Sequence, residues 1–412
     1  MVDSAHLPTI VIGAGSAGLS TSFHLKRLGV RHAVLERSRV GDTWRRARWD
    51  SFTLVTPNWS VLLPGMPYNG PDPDGFMTRE EVVAYLERYA AANDLPVRSG
   101  VDVSSVRPDG GRWRVATDTG PLTADNVVVA AGAFPEPHRG PPASGIARRV
   151  RQVHTSAYRN PQSLPEGGVL VVGTGQSGIQ IAEELLEDGR EVTISVGRCP
   201  RAPRRYRGRD AYAWMVESRF MFQPLGGLPS PSARLACNPQ LSGRDGGHDV
   251  DVWTLARRGA TLVGRVAAAV GETVTLAPDL EATLAASEKA SRELLDMVDA
   301  YIARAGLAAP PPEPSARDFS RPAAQEPLNL HLRERGISTI VWATGYRPSF
   351  PWVEGCDFDG NGFPVTQRGV TRAPGLYFVG LHFLSNRSSG ILLGVGEDAK
   401  HVAEHIASGA RP

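Results

Sequence analysis

One short pattern occurs twice in this chain, and the repeat dictates most of what it can fold into. Residues 11–20 read V-I-G-A-G-S-A-G-L-S, and residues 169–179 read V-L-V-V-G-T-G-Q-S-G-I. Each copy is an apolar, β-branched run, then three glycines spaced G-x-G-x-x-G, then an apolar stretch of helical period. A strand running through a glycine turn into a helix is the start of a βαβ unit. The first glycine allows the sharp turn, the second lets a pyrophosphate approach the backbone, and the third lets helix and strand pack closely. The helix N-terminus then faces the phosphates. Two copies predict an α/β chain with two dinucleotide-binding, Rossmann-like domains.

The copies differ where a nucleotide's ribose would lie. Twenty-three residues after Gly13 stands Glu36, at the end of a second strand; twenty-three after Gly173 stands Val196, followed by Gly197 and Arg198. A carboxylate accepts from a free ribose diol and repels a 2′-phosphate, which arginine binds. The first site therefore suits FAD and the second NADPH. Arg198, with Arg201, Arg204 and Arg205 behind it, supplies candidate phosphate ligands. Arginine makes up all but three of the 45 basic residues, so a solvated surface is the competing reading for each.

A chain of 412 residues exceeds one ordinary domain, and 41% hydrophobic with 21% charged residues describes a water-soluble globule. A net charge of +2, with no basic stripe interleaved with aromatics, gives no footprint for nucleic acid. No apolar run is long enough to span a membrane and no signal peptide precedes the first strand, so no membrane insertion and a cytoplasmic protein are expected. Cys199, Cys237 and Cys356 are far apart in sequence and predict neither a disulfide framework nor a metal cluster. The lack of a C-x-x-C beside the first site argues against a dithiol reductase.

The glycine turns set the division of the chain. Residues 1–160 should form the first part of an FAD domain. Residues 161–325 should form an inserted NADPH domain carrying a substrate-side insertion at 210–325, where the βαβ rhythm is lost. Residues 326–412 should complete the FAD domain. Between the turns, Thr78 and Glu81 are spaced as a capping box for a helix over 79–92. A buried strand over 126–130 closes on small residues at 131–135. Strands over 338–342 and 375–380 and a glycine-rich helix start at 390–396 follow. Trp214, Met215, Phe220, Met221, Phe222 and Leu225 read equally as pocket wall or core.

The combination resembles the class B flavoprotein monooxygenases, and within them the bacterial flavin-containing monooxygenase relatives labelled as potassium-transport or metal-resistance flavoproteins. The first turn matches that family's FAD fingerprint, the 41–44 segment G-D-T-W its G-x-x-W element, the second turn its NADPH fingerprint, and A-T-G-Y at 343–346 its interdomain element. One departure stands out. Arg148 and Val150 occupy the phenylalanine and glycine positions of the family's identifying sequence, while His154 and Tyr158 keep its tail. His154 is open to a structural role or to positioning a ligand at the junction.

The resemblance implies a cycle in which NADPH reduces FAD and a C4a-(hydro)peroxyflavin oxygenates a small organic substrate. The reaction would be N-, S- or C-oxygenation or a Baeyer–Villiger insertion, with O2 as co-substrate. The alternative is an NAD(P)H-dependent flavoprotein passing electrons to a quinone or other acceptor without oxygen insertion. Candidate cofactor-binding residues on the first site are Gly13, Gly15, Ser16, Gly18, Glu36, Arg37, Thr43, Trp44 and Trp49; the two tryptophans read equally as core. On the second they are Gly173, Gly175, Gln176, Ser177, Gly178, Arg198 and Arg205. Thr344, Gly345, Gly380 and Leu392 complete the set from the C-terminal part. Asn58 is a candidate hydrogen-bond donor to the oxygen adduct or a loop cap. Arg387 is a candidate contact to cofactor or substrate, or a surface arginine. No metal site is expected, and oligomeric state is open, a homodimer included.

Overall fold

The structure is a computed structural model, and it describes residues 5–132, 136–323 and 327–409. In chain order the main elements are β1 (Ala5–Ile12), α1 (Ser16–Arg27), β2 (His32–Glu36), α2 (Arg79–Ala92), β3 (Val97–Ser99), β4 (Val103–Asp109), β5 (Arg112–Thr117) and β6 (Leu122–Val129). Then come β7 (Arg151–His154), β8 (Gly168–Val172), α3 (Gln176–Glu187), β9 (Val192–Ser195), α4 (Ala211–Glu217), α5 (Val252–Arg257) and β10 (Thr261–Val263). The chain ends with β11 (Val266–Val270), β12 (Thr273–Leu276), α6 (Leu280–Arg304), β13 (Asn329–His331), β14 (Ile337–Trp342), β15 (Leu376–Phe378) and α7 (Val395–Ala407).

Two sheets carry the molecule. The first has β15, β6, β1, β2 and β3 side by side and parallel, with β4 and β5 as an antiparallel addition on β6. The second is parallel throughout, in the order β7, β14, β8, β9, β10. Alternation puts Val11, Val34 and Val128 on one face of the first sheet, under α1 and α7, and Ile10, Ile12, Leu35, Val127 and Val129 on the other. The second sheet divides in the same way, with Val169, Val171, Ile194 and Val341 on one face and Leu170, Val172, Ile340 and Trp342 on the other. Burial on both faces is why these strands read as unbroken apolar runs.

β15 returns to the first sheet after the second is complete, so the second domain is inserted in the first. The sheets move the expected boundaries. β7 lies before residue 161 and β14 after residue 325, yet both belong to the second sheet. The 210–325 segment also holds more of that domain than its irregular sequence suggested: β10 is the domain's edge strand, and β11 and β12 pair antiparallel, with β13, from beyond the segment, as their third strand. The 325/326 boundary, and residues 133–135 of the expected small-residue stop, lie outside the described residues. The capping box is formed: Thr78 Oγ1 accepts from Glu81 N at 3.2 Å and Glu81 Oε2 from Thr78 N at 2.7 Å. Among the described residues no helix is long and apolar enough to cross a membrane.

Candidate cofactor sites and the seam between them

The two glycine turns have one geometry. Gly13 and Gly173 take φ of +104° and +103°, and a Cβ on either would lie 2.6 Å from a backbone oxygen, that of Ala130 or of Ala343. A Cβ on Gly18 would lie 1.9 Å from the Gly13 oxygen, and one on Gly178 2.1 Å from the Gly173 oxygen. These four positions admit only glycine. Gly15 is different: a Cβ there would meet nothing within 4 Å. That open face, at the N-terminus of a helix with no acid in its first turn, is the cradle a pyrophosphate requires. Ser16 and Ser177 lie in the first turns of α1 and α3.

At the first site, Glu36 ends β2 with its Oε2 accepting from Ala14 N at 2.8 Å and its Oε1 from Ser38 N at 3.0 Å. Each oxygen keeps lone pairs for a ribose hydroxyl. Arg37 beside it is exposed. Gly41 N donates to Ala14 O at 3.2 Å, bringing the 41–44 segment against the turn with Thr43 exposed and Trp44 half-buried. Trp49 lies instead in the core of the second domain, edge-on to Phe52 at 5.1 Å. Gly380 is glycine for packing: a Cβ would lie 2.5 Å from that of Ala17. The Leu392 carbonyl accepts from Leu62 N, joining the start of α7 to the 58–64 segment. These features fit FAD.

At the second site no acid follows β9. Arg198 is exposed there, next to Gly197, whose N–H reaches Thr174 Oγ1 at 3.0 Å. This fits NADPH. The arginines behind it do other work. Arg201, 3% exposed, pairs with Asp251 at 2.8 Å and donates to three carbonyls. Arg204, 4% exposed, pairs with Asp210. Arg205 donates to Gly208 O at 2.6 Å inside the hairpin formed by Arg205–Tyr206 and Arg209–Asp210. The expectation that they ligate a phosphate is therefore corrected for Arg201 and Arg204, which are bound structurally, and the structure does not bring Arg205 to the turn. Gln176 uses its amide on the backbone of Leu241, leaving its main-chain N–H at the helix start.

The seam joins the two sites. His154 Nε2 lies 3.0 Å from the Gly345 carbonyl and its Nδ1 3.2 Å from Ser156 N, which fits a neutral ring protonated on Nε2; burial holds its pKa below the ordinary histidine value. Thr344 Oγ1 donates to His138 O. Ser51 and Tyr158 both donate to Glu184 of α3 at 2.8 Å, and burial raises that carboxyl's pKa. Asn58 is 5% exposed and ties a loop: its Nδ2 donates to Asp72 O at 3.0 Å and its Oδ1 accepts from Met77 N at 2.8 Å. Arg387 is half-buried. It donates to Asn238 Oδ1 at 3.1 Å and Gln223 Oε1 at 2.8 Å, between the rings of Phe220 and Phe383. It has no acidic partner among the described residues, and burial lowers its pKa.

The structure also joins two cysteines expected to be separate. Cys199 and Cys237 form a disulfide with their Cα atoms 5.8 Å apart. Their separation of 38 residues gives no sequence signal for it.

Comparison with known proteins agrees with this geometry. Residues 10–211 match the pyridine nucleotide-disulphide oxidoreductase family. An uncharacterised CzcO-like oxidoreductase of Geobacillus kaustophilus is 33% identical over 400 residues, 96% of this chain and 97% of its own. The indole-3-pyruvate monooxygenase YUCCA1 of rice is 35% identical over 192 residues, 45% of this chain and 47% of its own. The solved flavin-containing monooxygenase of Stenotrophomonas maltophilia shares the fold, with a TM-score of 0.64 at 22% identity over 98% of this chain and 99% of that one. With two glycine turns of one geometry, an acid closing the first and an arginine the second, residues that fit FAD and NADPH, the chain belongs to the CzcO-like oxidoreductases.

Proposed function

We propose that oxygen transfer takes place at the seam between the domains, on a small organic substrate held between the start of α7, the 58–64 segment and Arg387. Bound FAD supplies hydride acceptance from NADPH and the activation of O2. The chain's own residues do the rest. The Gly15 cradle and Glu36 hold the flavin nucleotide, and Arg198 holds the 2′-phosphate of NADPH. Asn58 fixes the 72–77 loop beside the seam, which keeps bulk water out. Arg387, an arginine with no counter-charge among the described residues, beside Phe220 and Phe383, suits the anionic end of an aromatic substrate. The name of the rice relative, with indole-3-pyruvate as its substrate, supports that class. The reading brings with it a cytoplasmic setting; gel filtration decides between a single copy and a homodimer.

One observation carries the cofactor part of this reading, the contrast between Glu36 and Arg198 at equivalent strand ends, and the setting of Arg387 between Phe220 and Phe383 supports the substrate part. The test is a single turnover. Holoprotein reduced by NADPH without oxygen is mixed with isotopically heavy O2 in the presence of methyl phenyl sulfide or phenylacetone. Heavy oxygen in the sulfoxide or ester, with less peroxide than flavin, is the expected result. Peroxide equal to flavin, no label in either product and anaerobic turnover with benzoquinone would favour the electron-transfer alternative.

A further inference from the structure

The disulfide lies where the second site would receive its pyrophosphate. A Cβ on Gly15 would meet nothing within 4 Å, whereas one on Gly175 would find the Cβ of Cys237 at 3.9 Å. The missing side chain of that second glycine is what lets a pyrophosphate approach, so this direction points at the ligand. Cys237 therefore borders the NADPH cradle, whereas among the described residues no atom comes within 4 Å of the corresponding position at Gly15. Its Sγ is also 3.4 Å from the carbonyl oxygen of Arg198, the phosphate-side arginine. Cys199, its partner, directly follows Arg198 and is buried.

The surrounding contacts make the disulfide the main tie of this short limb. After Cys237 the chain is held firmly: Gln240 is fully buried, donates from its side chain to Thr174 O at 2.6 Å and pairs with the backbone of Pro200 and Ala202. Before it, Arg234 is anchored to Asp359. Between these anchors Leu235, Ala236 and Asn238 are exposed. Apart from the disulfide, this stretch is held by a turn bond from Ala236 N to Ala233 O, by the hydrogen bond from Arg387 to Asn238 and by a 3.5 Å contact between Cys199 Sγ and Asn238 O. Cys237 is half-buried, so its sulfur can be reached by a thiol.

We propose that Cys199 and Cys237 form a reversible thiol–disulfide site that sets access to the NADPH cradle. The inference rests on the reading that the second turn holds NADPH. Oxidised, the pair holds Cys237 against the cradle and weakens nucleotide binding. A dithiol delivers two electrons and two protons, breaks the S–S bond and leaves as its own disulfide; the limb is released and the cradle opens. Hydrogen peroxide reverses the change, taking both thiol hydrogens and the electron pair and leaving as two waters. The site lies on the nucleotide side of the molecule, and no electron passes through it during turnover.

The test compares holoprotein oxidised with hydrogen peroxide and holoprotein reduced with dithiothreitol, each freed of reagent. Thiols are counted after denaturation, and NADP+ binding is measured by calorimetry. One thiol is expected in the oxidised form and three in the reduced, with NADP+ bound about tenfold more weakly by the oxidised form. Cys237→Ser should bind as the reduced form does after either treatment, and Cys356→Ser should keep the difference. Equal affinity in the two forms, tighter binding by the oxidised form, or three thiols after peroxide would overturn the proposal alone. NADP+ binding to neither form, with flavin retained, would overturn the assignment of the second turn along with it.

Discussion

Glu36 Oε2 accepts a hydrogen bond from the backbone N–H of Ala14 at 2.8 Å, which fastens the end of β2 to the middle of the first glycine turn. The carboxylate thus shapes the cradle, and under the proposed function the same group accepts from the ribose. Glu36→Gln keeps the shape but loses the charged acceptor, so FAD should bind about tenfold more weakly. The ratio of flavin to protein after gel filtration is the measurement; unchanged flavin retention would contradict the role.

Arg198 and Arg201 are three residues apart and should respond in opposite ways. Arg198→Glu should weaken NADPH binding about tenfold or more and leave NADH little affected, because one charge-assisted contact to the 2′-phosphate becomes a repulsion. Arg201→Gln should leave Asp251 buried without its partner and cost about 3–5 kcal/mol of stability. Denaturant unfolding and NADPH titration of each variant separate the two effects.

The glycines make a similar pair. Gly18→Ala would place a Cβ 1.9 Å from the Gly13 oxygen and should cost at least about 1–3 kcal/mol. Gly15→Ala enters open space with ordinary extended backbone, φ −85°, so the flavin-free protein should change by no more than about 0.5 kcal/mol. Its flavin content should still fall, because the new methyl occupies the pyrophosphate's place. Thermal melting with and without added FAD distinguishes them.

His248 gives a pH dependence. Its Nε2 is 2.8 Å from Glu183 Oε1, and the hydrogen bond to that buried carboxylate raises its pKa above the ordinary histidine value. The folded state therefore favours the protonated ring. This contribution is complete below the ordinary value and is lost as pH rises through the raised one. The melting temperature should fall across that window in the natural protein and stay flatter in His248→Gln.

The βαβ starts were legible because their physics is local: a doubly buried strand is apolar throughout, and a turn touching a phosphate has to be glycine. Glu36 and Arg198 were legible for the same reason, since strand spacing alone sets their place. What depended on distant partners was not. Arg201 and Arg204 look like Arg198 in sequence, and only Asp251 and Asp210 make them structural. Cys237 meets Cys199 through a strap that carries no periodic signal. Thr261–Val263 is too short a strand to stand out from the loops around it. Trp49 reads equally as core or flavin contact in sequence, and the side it packs on is decided by second-domain residues more than a hundred positions away, such as Val169 and Ile194.

The assignment of two cofactors to two turns is tested most directly by anaerobic titration of the flavin-loaded protein with NADPH and, separately, NADH, following loss of the oxidised-flavin absorbance. The account predicts full bleaching by NADPH at concentrations where NADH bleaches little, and a reversal of that preference in Arg198→Glu. Equal bleaching by the two nucleotides in the natural protein, or none by NADPH with the cysteine pair reduced, would contradict it.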